Sequence, residues 1–189
     1  MYSLETERLI LRPFEKDDAV FLDYLHSDLD VVRYTSGHTR SHAQNMAYID
    51  IMLELHEENL GHLLVLRKAD KCPVGRCGFS YFTGFNDGEM DWFYWGDAED
   101  ITREGQKFKH LELGYSFAKK YWGKGYATEA AFAVSQFGFN KLDLSEISSL
   151  VIKKNLASVG VAQKLGKPDI EECMVHDQPA FNLRNYKNG

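Results

Sequence analysis

Two glycines, Gly123 and Gly125, stand between Trp122, Lys124 and Tyr126 and are followed at once by Ala127-Thr128-Glu129. Residues of this kind do anion chemistry. Glycine lets the main chain approach a ligand closely, and a helix starting behind it presents N–H groups with no intrahelical acceptor at the positive end of its macrodipole. The flanking sequence supplies the rest of the arrangement. Before the turn, Leu111, Leu113, Tyr115 and Phe117 alternate with Glu112, Gly114 and Ser116, the period of a half-buried strand. After it, Ala127, Ala131, Val134 and Gly138 fall along one helical face with Phe137 beside them. Glu129 lies in the first turn, where the dipole favours a carboxylate. Residues 111–140 thus read as strand, glycine-rich turn and helix.

Several anions could use such a turn, and an unliganded tight turn is the plain alternative. A dinucleotide fingerprint needs G-x-G-x-x-G, whereas the third small residue here, Ala127, comes one place early. Glu146 lies about the right distance downstream to meet a ribose, which keeps a dinucleotide-binding module open. A triphosphate loop is not met: Gly160 to Gly166-Lys167 has the wrong spacing, and Pro168 stands where Ser or Thr is required.

Composition bounds the class. The chain has 189 residues, 44% hydrophobic and 26% charged, which suits a single globular domain over residues 1–189 with a substantial core. No apolar run approaches the roughly 20 residues needed to cross a bilayer. The opening Met1-Tyr-Ser-Leu-Glu-Thr-Glu-Arg8 lacks the layout of a signal peptide. Three cysteines, Cys72, Cys77 and Cys173, form no disulfide pattern and suit a reducing cytoplasm. A net charge of −6 speaks against non-specific nucleic-acid binding and suits a cationic substrate. Neither His38 with His42 nor Cys72 with Cys77 has the further ligands of a metal site, so none is expected.

Taken in order, residues 4–12 read as a first strand ended by Pro13. Asp17-Asp18 precede a helix bearing Ala19, Phe21, Leu22 and Leu25. A second helix spans about 43–58, with Met46, Ile49, Leu53 and His56 on its apolar face. Leu63–Leu66 and Val74–Phe82 form a hairpin. Residues 83–110 read as an inserted loop or hairpin, rich in Gly, acids and aromatics (Phe85, Trp92, Phe93, Tyr94, Trp95). They are expected either to pack on the domain or to cover an amine substrate, with Asp87, Glu89, Asp91, Asp97, Glu99 and Asp100 supplying negative potential. A strand ends near Ile152. Asn155 then caps a helix from Leu156 to Leu165, closed by Gly166, and two last strands fall at 169–175 and 181–186.

Beyond these local readings, Trp122-Gly-Lys-Gly-Tyr-Ala127 resembles the pyrophosphate loop Q/R-x-x-G-x-G/A of the GNAT superfamily of N-acetyltransferases. Its form YWGKGYATEA is closest to the RimJ/RimL-like, ribosomal-protein-alanine acetyltransferase branch. Leu4-Glu-Thr-Glu-Arg-Leu-Ile-Leu-Arg-Pro13 is similar to that branch's opening strand, and Pro73-Val-Gly-Arg-Cys-Gly-Phe79 to its central strand. Asn155-Leu-Ala-Ser158 with Ala162-Gln-Lys-Leu-Gly166 resembles its N-x-x-S helix. Four motifs in the family's order cover nearly the whole chain. Trp122 departs from the usual Gln or Arg, and Lys167-Pro168 from the aromatic that follows Lys-Leu-Gly.

The resemblance implies an α/β fold with a mixed, mostly antiparallel sheet whose fourth and fifth strands splay apart, flanked by helices. It also implies acetyl-CoA as co-substrate. The backbone of Tyr115, Ser116 and Phe117 would then meet the pantetheine. That of Trp122, Gly123, Lys124, Gly125, Tyr126 and Ala127, with Thr128, would hold the pyrophosphate, and Asn155 the pantetheine arm. The implied reaction is direct attack of an amine on the thioester, which asks for a general base, donors for the oxyanion and a proton for the leaving thiolate. Ser158 is the candidate proton donor. Glu112 and Glu171 are the candidate bases, with His110 or a water as further options. The acceptor is a small-molecule amine or a protein N-terminus, and a homodimer stays open. A catalytically silent acyl-CoA-binding regulator would keep the loop and Asn155 without an amine pocket.

Overall fold

The computed structural model describes residues 2–95 and 105–187. Among them the chain forms the strands β1 (Leu4–Glu5) and β2 (Leu9–Arg12), the helices α1 (Ala19–Ser27), α2 (Leu29–Val32) and α3 (His42–Leu55), and then β3 (Gly61–Arg67), β4 (Pro73–Asn86), β5 (Asp91–Trp95) and β6 (Gln106–Phe117). Helix α4 (Tyr126–Lys141), β7 (Glu146–Ile152), α5 (Leu156–Ala162), β8 (Asp169–Val175) and β9 (Gln178–Tyr186) follow. The strands make one mixed sheet in the order β1-β2-β3-β4-β5-β8-β9-β7-β6, with β4 also paired to β6.

That second pairing bends the sheet on itself. Strand β4 is long enough to take β3 along its first half and β5 along its second on one edge, while β6 runs antiparallel along the other. Pairing continues from β5 to β8, β9, β7 and back to β6, so six strands close into a ring. Phe82, Phe93, Ile152, Cys173, Val175 and Ala180 fill it. Of the two readings of 83–110, loop or hairpin, the described part is the hairpin: β4 turns into β5 and β6 pairs alongside. Its aromatics explain why: Phe93 stacks edge-on against Phe108, and Phe85 against Tyr94, which anchors β5 to its neighbours. Of the acids read there as a field for a cation, Asp87 accepts from the backbone of Glu89 and Met90 and from the Trp92 indole, and Asp91 accepts from Asn86. They shape the turn between β4 and β5. Asp97, Glu99 and Asp100 lie outside the described residues.

The main core lies between the other half of the sheet and the helices. Helix α4 presses close enough on β4 that a Cβ at Gly138 would fall 2.7 Å from Phe79 Cζ, so this position needs glycine. The first strand expected at 4–12 is split. Thr6 Oγ1 accepts from the Leu9 backbone, and the Arg8 backbone donates to Glu129, turning the chain between β1 and β2. Helix α3 starts on a capping box between Ser41 and Gln44. It buries Asn45, Tyr48, Ile49 and Met52, a face rotated by one position from the apolar stripe read in sequence. Polar partners decide that rotation: Asn45 bonds both His26 and Asp23, and Tyr48 bonds His62.

Candidate active site

Strands β6 and β7 run parallel and share one paired position, Glu112 with Ser148. Past it they diverge, and the main-chain edges of Leu113 to Phe117 and of Ser149 to Ile152 no longer pair with one another. Into this gap opens a cavity of about 560 Å³. Its walls include Glu112, Gly114, Tyr115, Leu150, Asn155 and Ser158.

Glu112 is buried where the strands part. Removal from water pushes its carboxyl up to about 7, against the opposing pull of the Arg76 guanidinium and a hydrogen bond from the Leu150 backbone. A group with that affinity can take a proton near neutrality. Gly114 keeps the space beside it open: a Cβ there would lie 3.0 Å from Glu112 Oε2 and 3.1 Å from His62 Nε2.

Across the gap, Asn155 caps α5 by accepting from the Ser158 backbone at 3.3 Å. The Ser158 hydroxyl donates to Tyr115 Oη at 2.9 Å, and the Tyr115 hydroxyl donates to the Ser158 carbonyl at 3.1 Å. The helix after β7 is thereby tied to β6 across the divergence. Burial raises the affinity of the Tyr115 hydroxyl for its proton, so it stays protonated at any ordinary pH.

At the far end of β6 the glycine turn has the geometry its sequence suggests. Gly123 and Gly125 have φ of +72° and +79°, where residues with a side chain are strained. Helix α4 begins behind them with no side chain capping it, which leaves the N–H groups of Tyr126, Ala127 and Thr128 without an intrahelical acceptor. Arg8 closes over the turn: it donates to the Lys124 carbonyl, lies 4.8 Å from the centroid of the Tyr126 ring and pairs with Glu129 at 2.6 Å. Trp122, where the family pattern has Gln or Arg, donates from its indole to the Phe117 carbonyl at 2.6 Å. Backbone edge, uncapped helix and open gap fit an acyl-CoA in its extended form.

Two further candidates lie elsewhere. Glu171 is exposed on β8, ion-paired with Arg184. It lies four residues, or roughly 13 Å of strand, from Val175, which does reach the cavity. His110 is held by Ser148 at 2.8 Å and by the Phe93 ring, and burial lowers its pKa to about 4, so it is neutral and engaged. His42 bonds Asp23, away from His38 on the cavity wall. Missing from the sequence reading were Arg40, Tyr48, His62, Arg76 and Ser80, all of which face the cavity. Nothing local marks them; only the rotation of α3 and the β3–β4–β6 register bring them to one place.

An α/β domain with a parallel pair splayed over a deep cavity, and an uncapped helix at one end of the gap, defines an acyl-CoA transferase architecture. The model of the acetyltransferase (GNAT) domain matches residues 8–167, and the chain belongs to that family. It is 29% identical to the uncharacterized N-acetyltransferase p20 of Bacillus licheniformis over 168 residues, 87% of this chain and 82% of that one. An acetyltransferase from Agrobacterium tumefaciens superposes with a TM-score of 0.74 at 21% identity, covering 98% of this chain and 95% of the other. RimL, the ribosomal L7/L12 α-N-protein acetyltransferase, in complex with coenzyme A, superposes with a TM-score of 0.68 at 13% identity and 98% coverage of both chains.

Proposed function

We propose that this protein moves the acetyl group of acetyl-CoA to a primary amine, with Glu112 as general base. The observation that carries the reading is the placement of Glu112: a buried carboxylate, poised to titrate near neutrality, where the splayed strands open into the cavity. Acetyl-CoA would supply the activated acyl group. The unpaired edge at Tyr115, Ser116 and Phe117, with Asn155, would hold its pantetheine, and the main chain from Trp122 to Thr128 its pyrophosphate.

Glu112 then accepts the proton that an ammonium must lose before its nitrogen can attack. Main-chain N–H groups on the free edge of β6 stabilise the charge that develops on the carbonyl oxygen. The hydroxyls of Ser158 and Tyr115, already bonded to one another, supply a proton toward the leaving sulfur. The RimJ/RimL-like motifs and the RimL likeness support the same reading, and the cysteines, all free, fit a cytoplasmic protein.

Trapping of released thiol, with acetyl-CoA and a panel of primary amines, tests it. Amine-dependent release is expected. Tight CoA binding with no release across the panel would instead make the chain an acyl-CoA-binding regulator.

A further inference from the structure

Among the described residues, one half of the cavity carries more positive charge than an amine pocket needs. Among the described residues that line it, Glu112 is the one carboxylate, facing the two guanidinium groups of Arg40 and Arg76. Arg40, in the loop before α3, has its Cζ 5.1 Å from the centroid of the Tyr48 ring and 5.5 Å from that of the Trp95 ring. Among the described residues it meets no carboxylate and spends no N–H in a hydrogen bond. Burial and the neighbouring Arg76 both weaken its hold on its proton, the mark of a cation lacking a counter-ion.

The polar atoms below it agree. His62 Nε2, Arg76 Nε and Ser80 Oγ are buried without a partner among the described residues, and all three residues line this cavity. Their character can be assigned. Arg76 Nη1 lies 2.9 Å from His62 Nδ1, and a guanidinium only donates, so Nδ1 accepts and the neutral ring carries its hydrogen on Nε2. Two donors, and a hydroxyl that can donate or accept, are therefore buried behind the cavity wall, and with the Arg76 charge they favour an anion in front of it. Buried groups of this kind normally have partners, and leaving them unmet is costly. Around them stand Phe82, Trp95, Ile152 and Val175, an apolar wall.

We propose that the acceptor is an amine that also bears a carboxylate, an amino acid with an apolar side chain, its carboxylate paired with Arg40 and favoured by the Arg76 guanidinium behind the wall. The inference rests on the acetyl-transfer reading for its chemistry and adds the substrate class. A bare ammonium would bring a further positive charge to a cavity whose described lining has two guanidiniums and a single carboxylate. A zwitterion brings its own counter-charge, and the carboxylate orients the amine toward Glu112.

Matched acceptors test the proposal: phenylalanine, methionine and leucine, each beside its amide and its decarboxylated amine. Thiol release is followed, and binding of the acids to the CoA-loaded protein is measured by titration calorimetry. The expected result is kcat/KM roughly 10²-fold higher for an acid than for its amide, because the amide leaves the arginines unpaired. In a folded Arg40→Gln protein that ratio should collapse toward one, and Arg40→Lys should restore part of it. Amides or simple amines turned over as well as the acids, or an unchanged ratio in Arg40→Gln, would overturn the substrate class while leaving acetyl transfer intact. Acids that bind in an Arg40-dependent way without thiol release would uphold the carboxylate site and defeat the transfer reading. Acids neither bound nor acetylated at millimolar concentration would overturn the inference.

Discussion

At one end of the cleft, the residues from Trp122 to Thr128 are contiguous, and backbone conformation does the work. Two glycines take positive φ, and a helix begins without a cap. At the other end Arg40, His62, Arg76, Ser80 and Glu112 arrive from a loop and three strands, and side-chain chemistry does the work. The glycine turn depends on the φ values of Gly123 and Gly125 rather than on a particular side chain between them. The acceptor end depends on which group faces which, so a single exchange of charge alters what it can bind. A local motif can be carried among many proteins of one family, while an assembled pocket can be retuned by one residue.

Substitutions at the two ends should therefore fail in different ways. The largest loss is expected for Glu112→Gln, a fall in kcat of about 10²- to 10⁴-fold, the usual range for a general base, with CoA affinity nearly unchanged. The same substitution should stabilise the fold at alkaline pH. Because the pKa of Glu112 is raised from 4.5 to about 7, the unfolded chain loses that proton first, and the native state pays increasingly as pH rises through this window. Thermal unfolding should show Glu112→Gln little changed at pH 4 and stabilised at pH 8, by up to roughly 3 kcal/mol. Equal activity or a destabilised protein at pH 8 would remove Glu112 from its role.

Next comes Gly125→Val. A β-branched residue at φ +79° is strained, and the turn must shift to relieve it. CoA affinity should drop by about tenfold or more, with most of the fold retained, since a Cβ there meets only the Arg8 guanidinium at 3.3 Å. Unchanged affinity measured by calorimetry would separate the turn from the pyrophosphate. Ser158→Ala should lower kcat by roughly tenfold and raise the KM for acetyl-CoA by less than about twofold, as expected of a group acting mainly in the transition state. Equal losses in both would make Ser158 a positioning residue that merely holds Tyr115. The smallest effect belongs to Glu171→Gln. An exposed pair with Arg184 is worth about 0–1 kcal/mol, and kcat/KM should stay within about twofold. A large loss there would put the base on β8 and contradict the geometry of the cleft.

The same contrast governs how much was legible in the sequence. Alternation from Leu111 to Phe117, the glycines and the helical face from Ala127 to Gly138 are local patterns, and each fixes its own element. Asn155 also declared itself, because an N-cap acts within its own turn. Glu112 was visible as a polar residue in an alternating strand, but not its burial, which depends on β4 and β7 closing over it. For the segment 83–95 the sequence left loop and hairpin both open, because its Gly and Asp residues signal turns; the hairpin of β4 and β5 is what forms, and its aromatics gain their reason to be strand from Phe108 and the ring of six strands. Tyr48 was hidden because the buried face of α3 is rotated by one position from the apolar stripe, toward the hydrogen bonds of Asn45 and Tyr48. Glu171 was a candidate by likeness of a short segment alone. Its place on the strand, beyond reach of the cavity, is a matter of register that no short motif carries.

The most direct test of the central claim is the pH dependence of kcat/KM for a single good acceptor, wild type beside Glu112→Gln, at saturating acetyl-CoA. If Glu112 is the base, wild-type activity rises with pH along a limb with its midpoint near 7, where burial has placed the carboxyl, and the residual activity of Glu112→Gln lacks that limb. A limb of the same midpoint and amplitude in both proteins would contradict the account and assign the proton transfer elsewhere.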